Sequence, residues 1–88
     1  MKTLDVVISL GITATQAQAL VNLREANLSM TSISLICGVS TAAVTGMVDR
    51  LVKKGLVQRV DSKFDRRIIT VELTDKGREY ADKIGGDA

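Results

Sequence analysis

The sequence predicts a mainly helical α+β fold. Apolar residues recur at helical spacing along most of the chain, and serine, threonine and glycine residues mark the ends of the helical segments. After Gly55 the period changes, and two runs rich in β-branched residues flank a polar segment. Together these observations predict a winged helix-turn-helix in which a two-stranded β-hairpin forms the wing. The length of 88 residues allows a single domain, 1–88.

Two helices are expected before residue 27. Apolar residues at helical spacing predict a short N-terminal helix over residues 1–11. Thr13 and Gln16 have the spacing of a capping box and predict the start of a second helix. The residues expected to face inward on this second helix are Ala17, Leu20 and Val21, with Leu23 and Ala26 as further candidates.

A short helix, a tight turn and a longer helix are expected next. Thr31 or Ser32 is the expected cap of the short helix, and Gly38 ends it because glycine tolerates the left-handed conformation of many helix ends. Ser40 is the expected N-cap of the longer helix, which runs to about Lys54. The residues expected to face inward on these helices are Ile33, Ile36, Cys37, Val44, Met47 or Val48, Leu51 and Val52.

A β-hairpin and a last helix complete the predicted fold. The strands are expected at 56–60 and 68–73, joined by the polar loop 61–67. A short strand is also conceivable in the connector 27–29. Thr74 is expected to cap the last helix, and the tail 85–88 is expected to fray. The residues that share the inner face of this helix are Tyr80, Ala81 and Ile84.

Basic residues are concentrated in one part of the chain. The net charge is only +2, but residues 50–67 hold seven basic residues and two acids. A local basic block is the electrostatic footprint expected of a phosphate-binding surface. A solvated helix end followed by a surface loop would carry the same charge, so charge alone does not decide between the two.

Small side chains predominate at the start of the longer helix. A face of this kind can enter a major groove about 12 Å wide, although it also serves tight packing between helices. Gly46 lowers helix propensity by about 1 kcal/mol and indicates a close approach of the backbone, either to DNA or to a neighbouring helix. Arg50, one turn further on, can reach a guanine or a phosphate. The candidate DNA-contacting residues at the start of this helix are Ser40, Thr41, Ala42, Ala43, Thr45 and Gly46.

The end of the longer helix and the hairpin loop hold the other candidates. Lys53 and Lys54 are expected to anchor phosphates together with Arg50. Minor-groove contact by an inserted arginine needs a projecting basic tip. Asp65 is two residues from an arginine and can hold that guanidinium in a bidentate pair; the alternative is a surface salt bridge contributing less than about 1 kcal/mol. The basic residues of the tip are Lys63, Arg66 and Arg67.

Four blocks carry a family resemblance. They are, in chain order, ITATQAQALVNL, GVSTAAVTGMVDRLVKKGLVQRV, DRR and VELTDKGREYADKI. They resemble the DNA-binding core of the MarR family of winged-helix transcription regulators, over residues 12–84. The resemblance implies a recognition helix from Ser40 to Arg50 and a wing arginine, Arg67, that enters the minor groove with Asp65 as its partner. It also implies Lys63 and Arg66 on flanking phosphates, and Thr41, Ala42 and Thr45 facing the bases.

The resemblance further implies a small regulator of transcription, acting as a repressor on double-stranded DNA. Members of the family are usually longer, with long terminal helices that form a dimer and an effector pocket beside them. This chain is interpreted as a minimal form without those long helices. We expect a homodimer through the N- and C-terminal helices, and no small-molecule effector.

Composition excludes several other classes of protein. With no histidine and Cys37 as the only cysteine, a zinc site, a haem site and an intrachain disulfide are not expected, and a cytoplasmic location fits best. Cys37 is expected to be a buried structural thiol rather than a redox sensor, because no basic residue adjoins it in sequence. No apolar run approaches the ~20 residues that span a bilayer, so no membrane association is expected.

An enzyme is not expected, and neither is a cofactor. The sequence offers no nucleophile with a base and no glycine-rich phosphate loop. The alternative to DNA binding is a winged-helix module that binds a protein partner, such as a transcription factor or a polymerase component. The basic tip of the predicted wing favours DNA, since a protein-binding module has no need of it.

Overall fold

The computed structural model describes residues 11–85. Its helices and strands, in chain order, are α1 (Ala14–Asn22), β1 (Leu28–Ser29), α2 (Met30–Cys37), α3 (Thr41–Lys53), β2 (Val57–Asp61), β3 (Ile69–Leu73) and α4 (Asp75–Gly85). The strands form one antiparallel sheet in the order β1-β3-β2. This confirms the predicted α+β winged helix-turn-helix, with β1 as a third strand beside the hairpin. The predicted N-terminal helix lies outside the described residues except for Gly11, as does the predicted tail except for Gly85, which ends α4.

Local hydrogen bonds begin α1 as predicted. The backbone N–H of Gln16 donates to Thr13 Oγ1 at 3.1 Å, and the N–H of Thr13 donates to Gln16 Oε1 at 3.0 Å. The reciprocal pair satisfies two N–H groups that have no partner within the helix. It also allows the side chain of Gln16 to be buried, because its carbonyl oxygen has a donor.

The start of α2 differs from the prediction. Ser29 is the N-cap, and its hydroxyl accepts from the N–H of Ser32 at 3.1 Å; the predicted caps Thr31 and Ser32 lie inside the helix. Pairing of Leu28 and Ser29 with β3 fixes the extended backbone that an N-cap needs. That pairing joins segments distant in sequence, so the local pattern could not indicate it.

Replacing Ser29 with alanine is expected to destabilise the domain by about 1 kcal/mol, because the N–H of Ser32 loses its acceptor. Thr31→Ala is the matched control, since Thr31 is an exposed residue within the helix and alanine has the higher helix propensity. Urea unfolding followed by circular dichroism measures both variants. Equal midpoints for the two variants would contradict Ser29 as the cap.

The helices α2 and α3 form the helix-turn-helix. The chain changes direction by 105° between them, within the roughly 90–120° of the motif. Gly38 ends α2 with φ +68°, as predicted, and Ser40 caps α3 by accepting from the N–H of Ala43 at 3.1 Å. Within residues 11–85 no single helix is long and apolar enough to cross a membrane. Among these residues only α2 and α3 taken together, as a bent pair, have the length and composition for it.

The core is aliphatic and lies between the helices and one face of the sheet. Its residues are Ile12, Ala17, Ala19, Leu20, Leu23, Ile33, Val44, Met47, Val48, Leu51, Leu56, Val57, Val71, Leu73, Ala81 and Ile84. Three residues expected in it are exposed: Ala26, which follows the end of α1, and Ile36 and Val52. Ile36 and Val52 lie to one side of the buried stripes of α2 and α3, and the packing of neighbouring elements, not helical spacing, decides how far such a stripe extends.

The strands begin one residue later than predicted. The sequence pattern indicated strands at 56–60 and 68–73, and the ladder runs from the Val57–Leu73 pair to the Asp61–Ile69 pair. Leu56 is buried but lies in the turn after α3, where its N–H donates to Leu51 O at 3.0 Å. The polar loop predicted between the strands is therefore confirmed, with a boundary shift of one residue.

Candidate nucleic-acid interface

The first turns of α3 present small exposed side chains, as the sequence predicted. The N-cap of the helix and most of its first residues are exposed. They are Ser40, Thr41, Ala42, Ala43 and Thr45. No side chain longer than threonine interrupts this stretch, and Val44 points into the core. The surface that results can approach a neighbouring molecule closely, as a helix in a major groove does.

Gly46 has open space beside it. A Cβ placed on this residue would meet no atom within 4 Å among the residues the structure describes. Of the two explanations that the sequence left open, tight packing on a neighbouring helix finds no partner among residues 11–85. The open space leaves room for another molecule to approach the backbone at this position.

Thr45 has a defined hydrogen-bonding capacity. Its hydroxyl donates to the Thr41 carbonyl at 3.1 Å, one turn earlier. The hydroxyl oxygen keeps lone pairs that can accept from a base amino group, and the methyl group remains exposed for apolar contact. Thr45 is therefore equipped to accept a hydrogen bond rather than to donate one.

Three predicted phosphate anchors lie together at the end of α3. Arg50, Lys53 and Lys54 line one cleft of about 440 Å³, together with Gly11, Thr13 and Gln16 from the segment in which α1 begins. Cations near the C-terminal end of a helix are stabilised by its dipole. The structure thus brings these residues into one cationic cleft on the flank of α3, separate from the cations of the wing.

An ion pair that the sequence analysis missed ties the wing to α3. Asp49 of α3 accepts a hydrogen bond from the guanidinium of Arg59 in β2. Arg59 belongs to the basic block but was assigned no role. Its position on the strand was a usable signal, because alternation places it on the same sheet face as buried Val57. The pair neutralises an acid on the exposed side of α3.

The predicted bidentate pair of the wing is present. Arg67 donates from Nε to Asp65 Oδ1 at 3.1 Å and from Nη2 to Oδ2 at 3.0 Å, and its backbone N–H donates to Oδ1 at 2.9 Å. The side chain of Arg67 is nevertheless 89% exposed. The guanidinium of Arg67 holds the pKa of Asp65 below its usual value, and Asp65 raises the pKa of Arg67. Both groups are thus charged at neutral pH, and Arg67 is held in one orientation facing solvent.

The other side chains of the tip are also exposed. Lys63 and Arg66, which the family resemblance places on phosphates beside the wing arginine, are exposed. Phe64 is 96% exposed, more than any other large apolar residue in the described part of the chain. Phe64 was not among the predicted site residues; the signal for it in the sequence was an aromatic residue within an otherwise polar loop.

Two further expectations concern cysteine and metals. Cys37 is half-buried, and burial raises the pKa of its thiol, which agrees with a structural residue more than with a reactive one. In the part of the chain from 11 to 85, no group of three or more histidine, cysteine, aspartate or glutamate side chains is placed to hold a metal ion.

The sequence of this chain is similar to those of known transcription regulators. The model of the MarR family matches residues 10–68. The HTH-type transcriptional repressor MdtR of Bacillus subtilis is 38% identical over 68 residues, which are 76% of this chain and 44% of that protein. The chain spans about a third to a half of the length of the curated relatives that it matches.

Solved structures share the fold. The transcriptional regulator Tm0710 of Thermotoga maritima superposes with a TM-score of 0.88 at 31% identity, covering 94% of this chain and 59% of that one. MepR of S. aureus, solved as a complex with DNA, superposes with a TM-score of 0.85 over 93% of this chain and 68% of that one. Its identity of 20% makes it a likeness of fold alone.

Proposed function

This chain belongs to the MarR family, and from that premise we propose that it binds specific sites in double-stranded DNA and regulates transcription as a repressor. The observation that carries the proposal is Arg67, which is fully charged, largely exposed and held outward by Asp65 at the end of the hairpin. Relatives named as transcriptional repressors support it. So does a solved structure of the same fold in complex with DNA.

In the proposed complex α3 reads bases in the major groove. Its exposed start carries methyl groups that can contact a thymine methyl, and Thr45 offers an acceptor to an adenine or cytosine amino group. Ser40, Thr41, Ala42 and Ala43 are the other proposed contacts, and the open space beside Gly46 allows the helix backbone to come close to the groove floor.

Phosphates are proposed to bind on both sides of α3. The cleft lined by Arg50, Lys53 and Lys54 can take one backbone segment. Lys63 and Arg66 can bind phosphates of a second backbone segment beside the wing, while Arg67 enters the minor groove. Phosphate contacts supply most of the affinity and fix the register of the helix, whereas α3 supplies the specificity.

The proposed assembly is a homodimer acting in the cytoplasm. A two-fold symmetric protein binds two half-sites, and each half-site then receives one α3 and one wing. The interface is proposed to involve α4 and the N-terminal segment. The expected absence of a small-molecule effector stays a prediction.

A protein-binding module remains the second candidate, and one observation favours it. Leu35 on α2 is 78% exposed and Ile36 lies beside it, so the first helix of the motif presents apolar surface. A partner of the transcription machinery could cover these residues. The basic wing and the small-residue face of α3 have no role in that scheme, and for this reason DNA is preferred.

Selection of bound duplexes from a random pool tests the proposal. A specific dimer is expected to enrich a two-fold symmetric site with half-sites about 10 base pairs apart. Titration at two salt concentrations should then show a steep loss of affinity with salt, about one logarithmic unit of slope per phosphate contacted. No enrichment, with dissociation constants of about 10⁻⁴–10⁻⁶ M, would favour the protein-binding module instead.

Thr45→Val is expected to change the preferred base at one position of each half-site. The variant keeps the shape of the side chain but loses the hydroxyl acceptor, and discrimination at that position should fall by about 1–3 kcal/mol. Repeating the selection measures the change, and Thr15→Val on α1 is the matched control. An unchanged selected site would refute the role given to Thr45.

A further inference from the structure

Phe64 is an aromatic residue with no place in the core. It belongs neither to the buried cluster nor to the partly buried residues packed against that cluster. Its side chain is 96% exposed at the tip of the hairpin. An isolated apolar side chain on a surface needs no explanation, but a phenyl ring at the end of a projecting basic loop suits a particular kind of partner.

The loop that carries Phe64 is held by its own hydrogen bonds. The N–H of Phe64 donates to Ser62 Oγ at 3.1 Å, and the N–H of Ser62 donates to the Ile68 carbonyl at 2.9 Å. The N–H of Ile68 donates in turn to the Asp65 carbonyl at 3.0 Å. Since the backbone is fixed and phenylalanine has few rotamers, the ring loses little conformational freedom on binding.

Phe64 lies close to the wing arginine, Arg67, in the same loop. The two residues are three apart, so at most about 11 Å separates their Cα atoms. Lys63 precedes the ring, and Arg66 and Arg67 follow it. A partner of the tip therefore meets an aromatic ring flanked by cations, and the matching surface combines phosphates with an apolar layer between them.

A DNA duplex provides that combination in its minor groove. Proteins that bind there often insert an apolar side chain between two base pairs, which unstacks the step and bends the duplex. An anionic membrane also combines phosphates with an apolar layer. A membrane, however, offers no groove to the small exposed side chains at the start of α3, which a duplex can receive in its major groove.

We propose that Phe64 inserts into the minor groove beside Arg67, opens one base step and bends the duplex. This inference rests on the proposed function. It assigns to the wing a second element of specificity, since pyrimidine–purine steps such as TA and CA unstack most easily. Sites with such a step under each wing are expected to bind more tightly than sites of equal major-groove sequence without it.

The test uses the 88-residue chain and its selected duplex carrying 2-aminopurine, a base whose fluorescence rises on unstacking, at the position under the wing. The wild-type protein is expected to raise the fluorescence and to bend the duplex in a permuted-site mobility assay. Phe64→Ala should abolish both effects and weaken binding about ten-fold, with an unchanged salt slope. Phe64→Leu, which keeps an apolar wedge, should retain part of both effects.

Leu35→Ala is the matched control, because it removes another largely exposed apolar side chain far from the wing in sequence; it should leave both signals unchanged. If wild type binds the duplex but Phe64→Ala gives the same fluorescence, bend and affinity, the insertion is wrong and the proposed function stands. If wild type binds no selected duplex, both fail. Loss of binding to phosphatidylserine vesicles in Phe64→Ala, with the fluorescence rise intact, would overturn the insertion in favour of a membrane role.

Discussion

Replacing Gly77 with alanine is expected to prevent the domain from folding stably. A Cβ at this position of α4 would lie 1.7 Å from the carbonyl oxygen of Leu56 and 2.7 Å from its carbonyl carbon. Both atoms are backbone, so no side-chain rotation relieves the clash, and α4 would have to move away from the turn after α3. Thr74 fixes this junction by donating from its hydroxyl to Gly55 O at 2.6 Å and from its N–H to Leu56 O at 3.1 Å.

The expected destabilisation exceeds the 1–3 kcal/mol typical of an overpacked core, and about 4 kcal/mol or more is reasonable for a backbone clash. Gly46→Ala is the matched control: it adds the same methyl group to a helix where the space is open, and should stabilise the domain by about 1 kcal/mol. Thermal unfolding followed by circular dichroism measures both. A Gly77→Ala variant that melts with the wild type would show that α4 does not pack on Leu56 in this way.

Removing the Arg67 side chain is expected to produce the largest loss of DNA affinity among single substitutions in the wing. The guanidinium is held outward by Asp65 and makes no other side-chain hydrogen bond among those the structure describes, so Arg67→Ala should leave the fold intact. Each wing should lose about 1–3 kcal/mol. For a dimer with two wings, this predicts a dissociation constant raised by about thirty-fold or more.

Two comparisons separate the role of Arg67 from a general effect of charge. Arg78→Ala on α4 removes one exposed cation outside the proposed DNA contacts and should change the affinity little, with gel filtration showing that the variant has the same oligomeric state as the wild type. Arg67→Lys keeps the charge but not the two-point pairing with Asp65, and should bind with intermediate affinity. Titrations at fixed salt decide the matter: equal affinities for Arg67→Ala and Arg78→Ala would rule out a specific contact by the wing arginine.

Features set by neighbouring residues were predictable from sequence. The capping box of Thr13 and Gln16 spans three residues, and the Asp65–Arg67 pair spans two. The left-handed end of α2 at Gly38 needs only a glycine after the last helical turn. In each case the hydrogen-bonding partner or the backbone requirement lies within one turn of chain, so that local chemistry decides the outcome.

Features that depend on tertiary contacts could not be predicted from the sequence. Ser29 caps α2 because β1 pairs with β3. Arg59 pairs with Asp49 because the wing packs beside α3. Helical spacing predicted Val52 in the core, but the structure places its side chain on the exposed side of α3. The role of Gly77 was equally hidden, because it depends on a carbonyl more than twenty residues earlier in the chain.

The central claim is that α3 and the wing occupy the major and minor grooves of one site. Methylation interference on the selected duplex tests it directly, because dimethyl sulfate marks guanine N7 in the major groove and adenine N3 in the minor groove. We predict that both marks block wild-type binding at adjacent positions of each half-site, and that Arg67→Ala loses only the minor-groove interference. Interference confined to one groove, or a pattern that Arg67→Ala leaves unchanged, would contradict the account.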